Sequence, residues 1–312
     1  MTRHLSTPGL KTRPPSFHVV LALVLTLVGI QLTFAASPPA PSTKHQAPST
    51  PRRIISLVPA VTEMLFAVGA GNAVIAVSNF DRYPAEVATR PRVGALIDPD
   101  FERILSLKPD LVVVFGSQSD LSSRLDRLKI PTFSYTDEGL TDIITTIERL
   151  GVRVGHADEG RREATRVRTE LDEVRRAVAG KARPRTALVF GRELGNLRGI
   201  WASGGIGFMH DLLEVAGGTD VFDDVKRKSM QATTEVLLVR APDVILEVYP
   251  SEGWTPARIA DETKVWLGLP TLPAVRSKRV YILADDTLVI PGPRVTQAAR
   301  LMAKTLHPDA IR

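Results

Sequence analysis

The sequence predicts an α/β protein built from two doubly wound lobes with mostly parallel sheets, joined by one long connecting α-helix. The first observation is a motif that occurs twice: residues 102–114 recur as 235–247, each with a glutamate seven residues before a Pro-Asp pair. Each copy predicts a short helix ended by proline and followed at once by a buried strand, because proline cannot donate a backbone hydrogen bond and β-branched residues favour sheets. The second observation is a long amphipathic stretch between the two copies.

Residues 1–36 have the composition of a secretory signal peptide. Residues 2–18 carry three bases and no acid, an apolar run over 19–30 follows, and Ala35-Ala36 offers a cleavage site. The apolar run is about half of the ~20 residues that span a bilayer. We therefore expect cleavage rather than a permanent anchor, and a periplasmic product. Residues 37–51, rich in proline, serine and threonine, predict a flexible tether.

The composition also bounds the possible functions. The formal charge of +6 falls to +3 once the three bases of the leader are removed, and the remaining bases alternate with acids, so we expect no nucleic-acid partner. The chain has no cysteine, so disulfides, cysteine metal sites and a thiol-linked lipid are impossible. The histidines beyond the tether, His156, His210 and His307, are too far apart in sequence to predict a metal site.

Strands and helices alternate through the predicted first lobe, residues 52–155. Pro59 suits the first turn of a helix, Gly69 suits its end, and the Asp-Pro-Asp sequence at 98–100 predicts the start of the helix in the first motif copy. The alternation predicts a mostly parallel sheet with helices on both faces. The predicted strands are 53–58, 74–77, 111–115 and 132–135, and the further helices are 121–128 and 140–150.

The predicted connecting segment, residues 156–182, contains the long amphipathic helix. Apolar residues recur at spacings of three and four between Ala164 and Val178 on an otherwise charged stretch. A helix over 158–179 would cover about 30 Å, the width of a small domain, and it has too few heptads for a coiled coil. We therefore expect a stiff connector laid across both lobes.

The predicted second lobe, residues 183–312, repeats the alternation. A glycine-rich loop is expected over 191–207, and Thr233 or Thr234 is expected to cap the helix of the second motif copy. Pro293 is expected to open the final helix, which ends near residue 306. The predicted strands are 186–190, 244–248 and 280–283, and a further helix is 208–215.

A series of short segments in this order carries a resemblance to a known family. The segments are 53–63, Tyr83-Pro84, Val93-Gly94, the two motif copies, Ser203-Gly204-Gly205 and 212–218. Together they resemble the periplasmic substrate-binding proteins of ABC importers for cobalamin and ferric siderophores. The resemblance covers residues 52–310 and implies two α/β lobes joined by one long helix, a ligand in the cleft between them, and delivery to permease subunits in the inner membrane.

The resemblance also gives the repeated glutamates a role. Glu102 and Glu235 would lie on the outer faces of the two lobes and pair with arginines of the two permease subunits. A glutamate in the first turn of a helix is favoured by the helix dipole whatever its function, so the position alone does not establish docking. The matched spacing in both lobes suits a pseudo-symmetric partner.

Ligand contacts are expected in the loops after the strands, because ligands of open α/β sheets bind at the carboxyl ends of the strands. An interlobe site is mostly apolar and aromatic with a few polar groups. Trp254 is the strongest single candidate, since its neighbours in the sequence are polar and flexible. The candidates are Pro59, Phe80, Tyr83, Leu96, Trp201, Ser203, Gly204, Met230, Tyr249, Trp254 and Asp286.

A cobalamin-type corrinoid is the favoured ligand, with its metal carried inside the ligand and no cofactor held by the protein. The cobalamin binders of the family carry tryptophans where this chain has Leu96 and either Ser229 or Met230, so other aromatic residues would have to hold the corrinoid. The candidates for that role are Phe80, Trp201 and Trp254.

Two other ligands of the same family stay open. A ferric siderophore, often anionic, would require arginines in the cleft, and haem would require an axial ligand. The candidate arginines are Arg82, Arg192, Arg198 and Arg294, and the candidate axial ligands are Tyr83, Tyr249 and His210.

A secreted α/β enzyme that processes a nucleotide or an ester is the alternative from a different class. The sequence contains no Gly-x-x-x-x-Gly-Lys-Ser/Thr, no His-Glu-x-x-His and no Gly-x-Ser-x-Gly. Residues 191–199 are glycine-rich after a strand but lack the Gly-x-Gly start that holds a pyrophosphate. We therefore expect a monomeric binding protein and not an enzyme.

Overall fold

The computed structural model describes residues 50–311. The predicted leader and the tether as far as residue 49 lie outside the described residues. Pro51 is already buried, so packing begins one residue before the predicted boundary. Within residues 50–311, the model contains no helix with both the length and the apolar character that a membrane crossing requires.

The first lobe is built on a four-stranded sheet in the order β2-β1-β3-β4. Every pairing in it is parallel, as predicted. The central strands are fully buried because they are runs of Ile, Leu and Val with a helix layer on each face. The strands are β1 (Ile54–Ser56), β2 (Val74–Val77), β3 (Leu111–Phe115) and β4 (Thr132–Tyr135).

Local signals fix the helices of the first lobe at the predicted places. Pro59 is the first residue of its helix, and Gly69 follows the end with a positive φ of 84°. The Asp100 carboxylate caps the helix of the first motif copy by accepting a hydrogen bond from the Arg103 backbone N–H at 3.0 Å. The helices are α1 (Pro59–Ala67), α2 (Phe101–Ser106), α3 (Ser119–Arg127) and α4 (Leu140–Arg153).

The connecting helix, α5 (Ala157–Ala177), confirms the predicted amphipathic stretch. Ala164, Val167 and Leu171 are buried on one side, and ion pairs cover the other. Helices α4 and α5 cross closely where Gly151 meets Gly160, since a Cβ built on Gly151 would lie 2.8 Å from the Gly160 Cα. Two glycines at this crossing therefore set the distance between the connector and the first lobe.

The second lobe has a six-stranded mixed sheet in the order β10-β9-β5-β6-β8, with β7 beside β5. The pairings of β9 with β5 and β10, and of β7 with β5, are parallel, whereas β6 pairs antiparallel with β5 and β8. The prediction of a loop over 191–207 is wrong in part, because β6 lies within it. The strands are β5 (Arg185–Gly191), β6 (Ile200–Gly204), β7 (Thr219–Asp220), β8 (Arg227–Ala232), β9 (Val244–Tyr249) and β10 (Val280–Ala284).

The helices of the second lobe include two that the sequence analysis did not predict, α8 and α9. Thr233 is the cap of α7 and accepts a hydrogen bond from the Val236 backbone N–H at 3.3 Å. The last helix begins two residues after Pro293, so the prediction that this proline opens it is wrong. The helices are α6 (Phe208–Val215), α7 (Thr234–Arg240), α8 (Pro256–Val265), α9 (Pro273–Arg276) and α10 (Val295–Leu306).

The two lobes share one apolar core on the connector side. This core runs from α1 and α4 through α5 to α6 and α10, so it belongs to both lobes. Two smaller cores each belong to one lobe, one behind the first sheet and one behind the second. The connector therefore lies across both lobes, as predicted: their sheets are separate, and helices of both lobes pack on α5 and hold the sheets in a fixed relation.

Candidate functional site

Two adjoining cavities lie between the sheets, on the side where the strands of both lobes end. Their volumes are about 270 and 200 Å³, and they share Asp137 of the first lobe and Val289 of the second. The larger cavity is lined mainly by the second lobe, including Phe190, Phe208 and Val248. The smaller is lined by residues of both lobes, and we refer to the two together as the cleft.

The first-lobe wall of the cleft contains two of the predicted contacts. Pro59 and Leu96 line the smaller cavity together with Phe115 and Tyr135. The Tyr135 hydroxyl crosses to the second lobe and donates to the Pro291 carbonyl at 2.9 Å. This wall is therefore apolar, and one of its aromatic rings is fixed by the opposite lobe.

Phe80 and Tyr83, in the loop after β2, are exposed and line neither cavity of the cleft. Their relative exposures are 62% and 48%, high values for aromatic side chains. The guanidinium of Arg294, from the second lobe, lies 4.1 Å from the centre of the Tyr83 ring. Phe80 therefore keeps an exposed ring, whereas the Tyr83 ring is partly covered by the opposite lobe.

The predicted contacts on strands β6 and β8 divide between the two faces of the second sheet. Ser203 and Gly204 are buried, and the Ser203 hydroxyl accepts a hydrogen bond from the Gly205 backbone N–H at 3.3 Å. Met230 packs against the core behind the sheet, while its neighbour Ser229 lines the larger cavity. Of the two alternatives considered for that position, the structure places Ser229 in the cleft.

Tyr249 and Trp254 form an aromatic pair where β9 ends. Their ring centres are 4.3 Å apart, with 33° between the ring planes, and the Arg258 guanidinium lies 4.8 Å from the centre of the Trp254 ring. Glu252, in the loop between them, makes an ion pair with Arg82 of the first lobe. The loop that carries Trp254 therefore reaches across to the first lobe.

Asp286 holds the start of the same loop through hydrogen bonds to Ser251. Its carboxylate accepts hydrogen bonds from the backbone N–H and the hydroxyl of Ser251, both at 2.9 Å. Trp201, on β6, is 48% exposed. Asp286 thus holds a loop in place, and Trp201 offers an open ring face.

Two further ion pairs join the lobes around the cleft. Lys228 donates to the Asp137 carbonyl at 2.7 Å and lies 3.1 Å from a Glu138 carboxylate oxygen. Burial raises the pKa of the Asp137 carboxyl, and the positive charge of Lys228 opposes that rise. Arg294 binds Glu63 with two hydrogen bonds of 2.9 and 2.5 Å. Burial also raises the pKa of the Glu63 carboxyl, against the opposing effect of Arg294.

Most of the arginines considered for an anionic ligand already have carboxylate partners. Arg82 pairs with Glu252 and Arg294 pairs with Glu63, as described above. The Arg192 side chain is fully buried and binds Glu247 and Glu262 at 3.1 and 2.9 Å. Arg198 is exposed. Three of the four candidate guanidinium groups are therefore neutralised by neighbours.

The side chains considered as axial haem ligands also contact other residues of the protein. The Tyr249 hydroxyl donates to a Glu247 carboxylate oxygen at 2.7 Å. The His210 ring contacts Asp220 at 3.3 Å and Asp223 at 3.8 Å, and it lines neither cavity of the cleft. Tyr83 is half exposed and has the Arg294 guanidinium over its ring.

Glu247 is a residue of the site that the sequence analysis did not single out. Its side chain is fully buried and accepts hydrogen bonds from Arg192, Tyr249 and the indole N–H of Trp266. The sequence signal was present, because a glutamate interrupts the apolar run of the second motif copy. Its partners could not be predicted, since Arg192 lies 55 residues away in the chain.

The two motif copies place Glu102 and Glu235 in matching, exposed positions. Each is the second residue of its helix, and neither lines the cleft. Backbone hydrogen bonding lowers the pKa of Glu235. The aspartates of the Pro-Asp pairs have a structural role instead: Asp110 accepts from the Arg53 backbone N–H at 2.9 Å, and Asp243 accepts from the Arg185 N–H at 3.1 Å.

Comparison with known protein families identifies the family to which this chain belongs. The model of the periplasmic binding protein family matches residues 54–287, which is most of the chain. The chain belongs to this family. Membership confirms the resemblance drawn from the sequence and implies an extracytoplasmic location for the protein.

Several curated proteins resemble this periplasmic binding protein along most of their length. A vitamin B12-binding protein of Pectobacterium carotovorum is 28% identical over 260 residues, which are 82% of this chain and 88% of the relative. An uncharacterized ABC transporter substrate-binding lipoprotein of Bacillus subtilis, YvrC, is 26% identical over 269 residues, 84% of this chain and 82% of the relative.

Solved structures share the fold. The periplasmic vitamin B12 binding protein BtuF of Vibrio cholerae superposes with a TM-score of 0.71 at 25% identity, covering 82% of this chain and 97% of that one. The periplasmic heme-binding protein RhuT of Roseiflexus superposes with a TM-score of 0.69 at 24% identity, covering 83% and 99%. The two-lobed α/β fold predicted for this periplasmic binding protein is confirmed.

Proposed function

We propose that this protein is the solute-binding component of an ABC importer and that it carries a cobalamin-type corrinoid between its lobes to a permease in the inner membrane. The mature chain acts in the periplasm as a monomer, after its leader is cleaved. It needs no cofactor of its own, because the metal belongs to the ligand. Family membership and relatives named as vitamin B12-binding proteins support the transport part of this proposal.

The charge state of the cleft favours a corrinoid over the other two ligands. Haem carries two carboxylates and many ferric siderophores are anionic, so each would need free cations in its site. Arg82 and Arg294 are paired across the lobes, and Arg192 is paired beneath the surface. The rim of a corrinoid carries neutral amides, which can bind where cations are already paired. This pairing is the observation that carries the choice of ligand.

The walls of the cleft fit the same class of ligand. Pro59, Leu96 and Phe115 on one side and Phe190 and Val248 on the other form apolar surfaces. Affinity would come from removing water from such surfaces, and the few polar groups would orient the ligand. Phe80 and Trp201 supply exposed aromatic side chains for a flat macrocycle, and Trp254, packed on Tyr249, supplies a further ring.

The shared core determines how the lobes move. Helices from both lobes pack on α5, so a wide hinge motion would break a continuous apolar core. We therefore propose a small closure on ligand binding, with release driven by the permease as it separates the lobes. Glu102 and Glu235 would dock the two lobes onto arginines of the permease and set the register of the complex.

Calorimetric titration of residues 37–312 with cyanocobalamin, haemin and a ferric siderophore tests the proposal. We expect saturable binding of cyanocobalamin with one site per chain and no comparable binding of the other two. Tight haemin binding with a shifted Soret band would show that the ligand is haem and not a corrinoid. Turnover of a nucleotide or an ester by the purified chain would contradict the transport proposal and indicate an enzyme.

A further inference from the structure

We propose that Glu247 is a positioning residue for the ligand site: it fixes the Tyr249–Trp254 aromatic pair in one orientation at the carboxyl end of β9, where the ligand would contact it. This inference rests on the proposed function for the identity of the ligand only. The position of the pair itself is a property of the protein without ligand, and it can be tested separately.

The first step is the chemistry of Glu247. Its side chain is fully buried, and a buried carboxylate is unfavourable unless hydrogen bonds and an opposite charge compensate it. Arg192 supplies the charge at 3.1 Å, and Trp266 supplies an indole N–H. The Tyr249 hydroxyl supplies the third hydrogen bond, at 2.7 Å. Glu247 is thus held in one place by a group of its own strand and by groups from two other segments of the lobe, those after β5 and α8.

The second step is the rigidity of Arg192. Its side chain is also fully buried, and it binds the Glu262 carboxylate at 2.9 Å and the Glu262 carbonyl at 2.9 Å. A planar guanidinium with this many fixed acceptors has one orientation available. The Glu247 carboxylate is therefore anchored to α8 as well as to its own strand.

The third step leads from Glu247 to the surface. Tyr249 is the last residue of β9, and its ring packs on Trp254 with 4.3 Å between the ring centres. Burial raises the pKa of the Tyr249 hydroxyl, and the negative charge of Glu247 adds to that rise, so the hydroxyl stays protonated and donates. Since the hydroxyl is fixed, the ring has one tilt, and the Trp254 indole that rests on it is oriented in turn.

The first lobe shows that this place in the fold does not require a charge. Val114 occupies the position that matches Glu247 in the motif, and it is fully buried in an apolar core. Gly116 matches Tyr249 and has no side chain to orient. The second lobe, which carries Trp254, therefore has both the carboxylate and the tyrosine. The first lobe has neither at the matching positions.

Tyr249→Phe is the test, because it removes only the hydroxyl that binds Glu247. We expect the Kd for cyanocobalamin to rise about threefold to tenfold, because the ligand must then order side chains that the wild-type protein already holds in place. The thermal midpoint should fall by a few degrees, because Glu247 loses one of its hydrogen bonds. Tyr281→Phe, on the neighbouring strand β10, is the matched control and should change neither quantity. Glu247→Gln should resemble Tyr249→Phe in ligand binding.

Fluorine NMR of protein labelled with 5-fluorotryptophan reports the position of the pair without ligand. The chain has three tryptophans, and Trp254→Phe assigns the resonance of interest. In Tyr249→Phe we expect that resonance to broaden or shift while the Trp201 resonance stays in place. An unchanged Trp254 resonance would overturn the positioning role whatever the protein binds. If the wild-type protein fails to bind cyanocobalamin but the Trp254 resonance moves as expected, the proposed ligand is wrong and the positioning role of Glu247 stands.

Discussion

Replacing Arg294 by methionine should destabilise the protein strongly at neutral pH and much less in acid. Arg294 precedes α10 in the second lobe and binds Glu63 on α1 in the first, and the two side chains are 16% and 3% exposed. Removing one partner of a buried ion pair costs about 3–5 kcal/mol, because the other charge is left buried. At about 2–4 °C per kcal/mol for a chain of this size, the thermal midpoint should fall by about 6–20 °C.

The pH dependence follows from the direction of the Glu63 pKa. Burial already raises that pKa above 4.5 in the folded protein, and Arg294 opposes the rise, so the variant should raise it further. A carboxyl with a raised folded pKa binds more protons folded than unfolded, so its contribution to stability falls as the pH rises above 4.5. The free-energy difference between wild type and Arg294→Met should therefore be large at pH 8 and small at pH 5.

Urea unfolding followed by circular dichroism at both pH values measures the effect. Arg82→Met is the matched control, because it breaks an interlobe ion pair that is exposed, worth less than about 1 kcal/mol at either pH. Glu63→Gln combined with Arg294→Met should recover part of the loss at pH 8, since no charge stays buried. A loss of equal size at pH 5 and pH 8, or one no larger than that of the control, would contradict the reasoning.

Three further predictions concern docking, capping and the rim of the cleft. Replacing Glu102 and Glu235 together by alanine should leave cyanocobalamin affinity unchanged in calorimetry and abolish ligand-dependent transport in a reconstituted importer; equal loss of both would contradict a docking role. Thr233→Ala should lower the free energy of unfolding by about 1 kcal/mol, because the α7 cap is lost, and a neutral result in urea unfolding would count against the cap. Lys228→Met should raise the pKa of the Asp137 carboxyl further, since burial acts unopposed; carbon NMR titration showing no change would refute this.

The first lobe could be predicted almost residue by residue because its local signals agree with its tertiary structure. Val74–Val77, Leu111–Phe115 and Thr132–Tyr135 have the predicted bounds, since each is a short run suited to a strand and delimited by residues that end helices or strands. Asp100 caps its helix as expected. The same agreement extends to the connector, whose apolar spacing matches its buried face.

The second lobe was less predictable where strands lie at the edge of the sheet. Strand β8, Arg227–Ala232, has a charged and mostly exposed sequence with no apolar alternation, so only its pairing with β6 defines it. Strand β6 lies among glycines that favour loops. In both cases a partner far along the chain decided the structure, and no local pattern could show it.

The candidate site could be predicted in position but not in its interactions. Pro59 and Leu96 were expected at the cleft from the rule about strand ends, and they line it. The pairing of Arg294 with Glu63 joins residues 231 apart, and the sequence offers no signal for it. Such pairs decide the charge of the cleft, so the choice of ligand needed the structure.

The buried carboxylate of Glu247 is a physical difference between the two lobes. A valine at the matching place, Val114, satisfies the packing of the same strand with no charge to compensate. Replacing buried ion pairs by apolar residues of similar volume is often neutral or stabilising, so stability alone gives no reason for Glu247 and Arg192. The carboxylate instead fixes the orientation of the Tyr249 ring, because it accepts a hydrogen bond from the Tyr249 hydroxyl at 2.7 Å. An apolar residue in place of Glu247 would leave that ring free to tilt. The lobe that carries Trp254 is therefore the one in which the ring at this position is fixed.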